Sequence, residues 1–218
     1  MAAKSARGRT GAKVVPIKRL ARAQRREDLL DATVRLILSD GIEAVSMETV
    51  ADRAGVSRPL VYKHFASKHE LLIGVYRREA LTIYDEVAAD VRAATNLPGM
   101  YRALVRASIR ASSEHGALFA AFRSAGTWNQ KLRDEQRARD RETDRVFAEQ
   151  ARNQYGIPLP EARSATVILL AAIDAVLAQW RTRRSPAEQL EETYMDIVMG
   201  GLRRLAARTA GQSAVVSS

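Results

Sequence analysis

Six prolines, at positions 16, 59, 98, 158, 160 and 186, together with the glycines near them, cut this chain into apolar-periodic segments. The segments run about 10 to 28 residues, the length of helices, and none carries the sustained period-two alternation of a strand bounded by hairpin turns. An all-α fold of about nine helices follows. The first expected helix runs from near Arg22 to Ser39, with Leu29, Leu30, Ala32, Val34, Leu36 and Ile37 along one stripe, and Gly41 ends it. Ser46 caps a two-turn helix in which Met47, Val50, Ala51 and Ala54 share a face, and Gly55 closes it. Ser57 caps a third helix reaching His64, and Ser67 or its neighbour opens a long fourth to about Thr95. The rest are expected near 99–114, 117–125, 128–155, 160–183 and 187–208, with the last ten residues frayed.

With 218 residues the chain can bury a sizeable core, as one domain or as a small domain joined to a larger one. It has no cysteine, which excludes disulfides, thiolate metal sites and thiol nucleophiles. No apolar run approaches the roughly 18 residues of a spanning helix, and the start lacks the apolar core of a signal peptide. A cytoplasmic protein is expected, with no membrane partner. The formal net charge of +10 is concentrated in one place: residues 1–26 hold nine basic side chains and no acidic one, while the remainder is close to neutral. That distribution describes a near-neutral body with a basic arm, residues 1–21, disordered when free. The arm is either a solubilising tail or a device for phosphates and the minor groove.

The segment 128–155 is mostly charged, with alternating signs, and reads as a solvated helix laced with i,i+4 pairs. The segment 160–180 is different. Ile168, Leu169, Ala172, Ile173, Val176 and Trp180 make one apolar stripe, and Val167, Leu170, Ala171 and Ala178 make another on the opposite side. A helix apolar all round needs cover on both sides. The chain's own core supplies one cover and a second copy is the simple source of the other. A homodimer seam is therefore expected from Val167, Leu170, Ala171 and Ala178 with Tyr194, Val198 and Leu202 of the following helix.

Helix 47–54, a tight turn at Gly55-Val56 and helix 57–64 form a helix-turn-helix, whose second helix is shaped to lie in a DNA major groove. Pro59 is a helix breaker only in a helix interior. Just after a Ser57 cap its missing N–H has no intrahelical acceptor to lose. If Val56, Val61 and Phe65 point to the core, 100° per residue puts Pro59 and Lys63 opposite, with Leu60 and Tyr62 on the flanks. Arg58 and Ser57 lie in the first turn, beside the positive end of the helix dipole, where a phosphate sits well.

The run "GIEAVSMETVADRAGVSRPLVYKHFASKHELL", Gly41 to Leu72, resembles the tetracycline-repressor (TetR) family of bacterial transcription regulators. The shared skeleton is the glycine after helix one, a hydroxyl residue opening helix two, Ala51, Ala54-Gly55-Val56-Ser57, Val61-Tyr62, His64-Phe65, Ser67-Lys68 and Leu71-Leu72. The resemblance implies that Arg58, Pro59, Leu60, Tyr62, Lys63 and His64 face DNA and that Lys68 reaches a phosphate. Ser57, Ser46 and Thr49 complete the candidate DNA-binding set. Two positions depart from the pattern: Glu48 is acidic where the tetracycline repressor has a basic base reader, and Leu60 replaces a common Thr or Ser. Reading then shifts to Lys63 on guanine and to Leu60 and Pro59 on thymine methyls. His64 has the alternative of a half-buried residue bonded to a backbone carbonyl.

The resemblance also implies that the helices after about residue 68 bind a small-molecule effector and dimerise. The expected division is an arm at 1–21, a DNA-binding head at 22–67, an effector and dimerisation domain at 68–208 and a tail at 209–218. Candidate effector contacts are Tyr84, Met100, Tyr101, Phe119, Phe122, Trp128, Phe147 and Trp180, each with the alternative of simply filling core, joined by His115 and Asp174 as polar entries. His115, just before Gly116, has the alternative of completing a helix C-terminus. Asp174, on an apolar face, needs an arginine, a ligand or its own copy as partner. The histidines at 64, 69 and 115 share no i,i+4 metal spacing, and HExxH, GxSxG, P-loop and GxGxxG patterns are missing, so no metal, cofactor or catalysis is expected. The expected function is a homodimeric, ligand-responsive repressor on a pseudo-palindromic double-stranded DNA operator, nucleoid-associated when bound. The rival is an architectural DNA-coating protein whose affinity comes from the arm.

Overall fold

The computed structural model describes residues 17–124, 130–182 and 185–216. Among these it is all-helical: α1 (Ile17–Asp40), α2 (Met47–Ala54), α3 (Arg58–His64), α4 (Lys68–Ala93), α5 (Leu97–Ser124), α6 (Gln130–Tyr155), α7 (Leu159–Arg181) and α8 (Ala187–Val216). No helix of the described residues is long and apolar enough to cross a membrane. The chain divides into two compact units, Met1–Leu71 and Leu72–Ser218, and α4 runs from the end of the first into the second.

Three boundaries differ from expectation. α1 begins at Ile17, so the last part of the arm segment is helical, while residues 1–16 lie outside the described residues. The helices expected at 99–114 and 117–125 are one helix, α5. Gly116 costs about 1 kcal/mol inside a helix, but Leu118 and Phe122 beyond it are buried, and that burial carries the helix on. α8 continues to Val216, past the end expected at 208.

The first unit is a three-helix head. Leu29, Leu30, Leu36 and Ile37 of α1, Ile42 and Val45 of the connecting turn, Met47, Val50 and Ala51 of α2, and Val61 and Phe65 around α3 are all buried. The turns are set locally. Gly41 and Gly55 adopt φ of +88° and +65°, the left-handed conformation that L side chains disfavour. Ser46 and Thr49 close a capping box at the start of α2: the Thr49 N–H donates to Ser46 Oγ (3.0 Å) and the Ser46 N–H donates to Thr49 Oγ1 (2.9 Å). Arg53 at the end of α2 bonds Asp40 at 2.7 Å, tying α2 to the end of α1.

In the second unit α5 to α8 surround one core, built from Leu97, Met100, Tyr101, Val105 and Ile109 of α5, Phe147 and Ala151 of α6, Leu169 and Ile173 of α7, and Tyr194, Val198 and Leu202 of α8. The Tyr101 ring meets Phe147 edge-on at 4.8 Å between centroids and Tyr194 at 6.3 Å. The buried Tyr194 hydroxyl donates to the Leu169 carbonyl (3.0 Å), and Glu191 on α8 accepts from Arg102 (2.7 Å) and Arg106 (2.6 Å) on α5. α4 meets α5 through long side chains. Asp90 bonds Arg110 near the connecting turn, and Tyr76 packs edge-on against Phe119 and Phe122 at the far end.

Candidate nucleic-acid interface and effector unit

α3 is positioned by what it buries. Val61 and Phe65 are fully covered, and the opposite side of this short helix is left to solvent: Ser57, Arg58, Pro59, Tyr62 and Lys63 are exposed, Leu60 and His64 half-buried. Pro59 occupies the first turn, as expected, and the Leu60 N–H donates to the Ser57 carbonyl at 2.9 Å. Ser57 stands at the N-cap position, but its hydroxyl makes no capping bond, so it is free for an external acceptor. The Arg58 guanidinium lies 5.6 Å from the centre of the Tyr62 ring, one turn away on the same face. That contact holds a cation and a phenol together at the exposed end of α3.

Other candidates are engaged differently. Ser46 and Thr49 form the α2 capping box, and the Thr49 hydroxyl also donates to the Ala44 carbonyl (2.9 Å). Their hydroxyls therefore work within the head. Lys68 is half-buried, with Nζ donating to the Glu43 carbonyl at 3.4 Å, a long bond that leaves the ammonium further donors.

The α1 side of the head adds basic residues that lie outside the candidate DNA-binding set. Arg22, Arg25 and Arg26 of α1 lie near His64, and Arg26 stacks over the Phe65 ring at 4.6 Å. Burial, then the positive charges of Arg22, Lys63, Arg26 and Arg25, hold the His64 imidazole below its ordinary pKa and so neutral near pH 7. The spacing of Arg22, Arg25 and Arg26 at i, i+3, i+4 was the signal for this cationic face.

The effector candidates separate into two groups. Met100, Tyr101 and Phe147 lie in the core of α5 to α8. Tyr84, His115, Phe119 and Phe122 lie on α4 and α5, with Arg139 of α6 over the Tyr84 ring at 5.8 Å. Trp128 falls outside the described residues, and Trp180 packs against the edge of the core. In the core group, burial pushes the Tyr101 phenol up to about 12. Thr166 lies close enough to temper that shift, yet neither Tyr101 Oη nor Thr166 Oγ1 reaches hydrogen-bond geometry, and both are buried without a partner. One expectation is corrected. His115 does not complete a helix terminus, because α5 continues through Gly116. Asp174 is exposed on α7, so the chain's own core demands no partner of it.

The dimer candidates divide as well. Tyr194, Val198 and Leu202 are buried in the chain's own core and present no free surface, because α8 turns that stripe toward α5 and α7. Val167, Ala171 and Ala178 are exposed and Leu170 is half-buried. The exposed apolar face also includes two residues outside the expected set, Ile168 (69% exposed) and Ile197 (60% exposed). They line an open groove of about 480 Å³ between α7 and α8, flanked by the Arg208–Glu161 ion pair at 2.7 Å.

A family model described as "Bacterial regulatory proteins, tetR family" matches residues 29–75, which include α2 and α3. The HTH-type transcriptional activator FasR of Mycolicibacterium smegmatis is 39% identical over 89 residues, 41% of this chain and 41% of FasR. The HTH-type transcriptional repressor KstR of Mycobacterium tuberculosis is 44% identical over 59 residues, 27% of each chain. The chain thus spans less than half the length of either relative. The likeness of fold extends further: a TetR-family transcriptional regulator from Streptomyces coelicolor superposes with a TM-score of 0.61 at 20% identity, covering 89% of this chain and 98% of that one. The helix-turn-helix of the chain is thus similar to that of the tetR family of bacterial regulatory proteins, and its fold over most of its length is similar to that of a solved regulator of that family.

Proposed function

We propose that the chain is a homodimeric, sequence-specific DNA-binding regulator, a repressor that leaves a pseudo-palindromic operator when a small molecule binds its second unit. The observation that carries the DNA reading is the face of α3: Val61 and Phe65 buried, with Arg58, Pro59, Tyr62 and Lys63 exposed beside the cap end. Lys63 is the hydrogen-bonding base reader, Pro59 and Leu60 supply apolar contact, and Arg58, Tyr62 and Ser57 hold phosphates. Arg22, Arg25 and Arg26 extend the cationic surface, and the arm before them adds phosphate or minor-groove contacts. The protein acts in the cytoplasm at the nucleoid. The repressor sense follows the name of KstR, and FasR, named an activator, makes the sign a direct outcome of a reporter measurement.

Support for the effector reading comes from the partnerless hydroxyls of Tyr101 and Thr166 in the core of the second unit, polar groups that a bound ligand would satisfy. Support for the dimer comes from Val167, Ile168 and Ile197, large apolar side chains that α7 and α8 leave exposed to solvent and that a second copy would cover. A concentration-independent monomer mass in sedimentation would overturn it.

The test of the DNA reading is selection of bound sequences from a random pool, then footprinting with Lys63→Ala and Tyr62→Ala. Loss of a two-fold symmetric footprint is expected, with Lys63→Ala costing about 1–3 kcal/mol at one base position. Unchanged footprints in both variants would refute the placement. An architectural coating protein predicts instead a specific-to-random affinity ratio near one, and a salt slope that collapses when residues 1–20 are deleted.

A further inference from the structure

The seam between α4 and α5 carries an array of carboxylates. From the connecting turn outward, Asp90 faces Arg110, Glu86 faces Glu114 and His115, and Glu79 stands beside His115. Glu79 and Glu86 are seven residues apart on α4, two turns along one face. One donor atom from each of Glu86, Glu114 and His115 lies within 4.8 Å of the other two. We propose that these three side chains bind one divalent transition-metal ion of the zinc type, clasping α4 to α5.

The donor set selects the metal class. One imidazole with two carboxylates matches zinc, cobalt(II) or nickel(II), whereas magnesium and calcium take oxygen donors alone. Three protein ligands leave a fourth position open to water. Donors around a tetrahedral zinc stand about 3.4 Å apart, given bonds of about 2.0–2.2 Å. Closing from 4.8 Å needs only a rotamer adjustment of Glu86 and Glu114, both exposed, while the half-buried imidazole stays in place.

Two further observations favour a cation here. Of the carboxylates on this seam, Asp90 is bonded by Arg110 at 2.6 Å and Glu79 by Arg78 at 2.7 Å, whereas Glu86 and Glu114 lie beside His115. Arg110 feels Glu114 and Glu86 as well but bonds neither. In addition, His115 Nδ1 is turned toward Glu79 Oε2 at 3.8 Å, and Glu79 is only 13% exposed. A carboxylate on the Nδ1 side of a metal-binding histidine, once it closes to hydrogen-bond distance, holds the ring and favours Nε2 as the donor. The sequence hid this site because its ligands come from two helices, with no repeat spacing within either.

Titration of the full chain with Zn²⁺ against a chromophoric chelator, and with Co²⁺ followed by its visible absorption, tests the site. One ion per chain is expected, bound at least about 10-fold more tightly than Mg²⁺. His115→Ala and Glu114→Gln, both with unchanged far-UV circular dichroism, each weaken Zn²⁺ binding by about 10-fold or more. Glu79→Gln, a positioning change, weakens it by about 10-fold and alters the Co²⁺ spectrum. His69→Ala leaves it unchanged. Absence of Zn²⁺ binding, full binding in His115→Ala, or loss in His69→Ala would each overturn the proposal.

Discussion

Ser46→Ala and Thr49→Ala test whether these two hydroxyls hold the head together. In the capping box Ser46 Oγ accepts the Thr49 N–H at 3.0 Å, and Thr49 Oγ1 accepts the Ser46 N–H at 2.9 Å while donating to the Ala44 carbonyl at 2.9 Å. Replacing Ser46 frees one N–H at the start of α2, a loss of about 1 kcal/mol for a cap. Replacing Thr49 removes one acceptor and one donor at an exposed position, where water takes over part of each bond, so about 1 kcal/mol again. The two changes break one ring of bonds, so the double variant costs less than the sum of the singles. The head contributes only α1 to α3, and α2 has eight residues, so a loss of this size loosens the whole helix-turn-helix. The assay is denaturant unfolding of the full chain, fitted with a separate transition for each unit. Thr49→Ser, which retains the hydroxyl, recovers most of the loss. Single variants within about 0.3 kcal/mol of the parent, or fully additive losses, would refute a capping role and return these hydroxyls to the DNA face.

Gly55 stands at φ +65° with nothing within 4 Å of an added Cβ, so Gly55→Ala costs about 1 kcal/mol through backbone conformation alone, and Gly55→Asn costs less; equal unfolding midpoints for the parent and Gly55→Ala would contradict this. For Glu191, burial alone would raise the carboxyl pKa, but hydrogen bonds from Arg106 and Arg102 outweigh it and hold the group below its ordinary value. Its stabilising contribution is therefore full above the ordinary carboxyl value of about 4.3 and fades as pH falls through the lowered one. Glu191→Gln should lie about 1 kcal/mol below the parent near pH 7, a modest figure because Arg102 and Arg106 are 46% and 62% exposed, and the two should converge in acid. A gap that persists at low pH would mean that packing rather than charge is lost.

The helices and the three-helix head were legible because their determinants are local. Apolar spacing sets each helix, Gly41 and Gly55 end α1 and α2 in left-handed turns, and Pro59 marks the first turn of α3. The same locality made Val61 and Phe65 readable as the buried side of α3, since 100° per residue needs no knowledge of the neighbouring helices. Tertiary packing decided what local rules leave equal. Gly116 looked like a stop until the burial of Leu118 and Phe122 carried α5 past it. α8 offered a wide apolar stripe, and only the position of α5 and α7 determined that Tyr194, Val198 and Leu202 face inward while Ile197 faces water. Lys68 reached the Glu43 carbonyl, and Glu86 met Glu114 and His115, across separations in sequence that no periodicity spans. The sequence by itself determined which residues are helical and which face of α3 is free, because those follow from bonds and turns within a few residues. The structure decided which apolar faces stay exposed and which charges meet, because those depend on how whole helices pack.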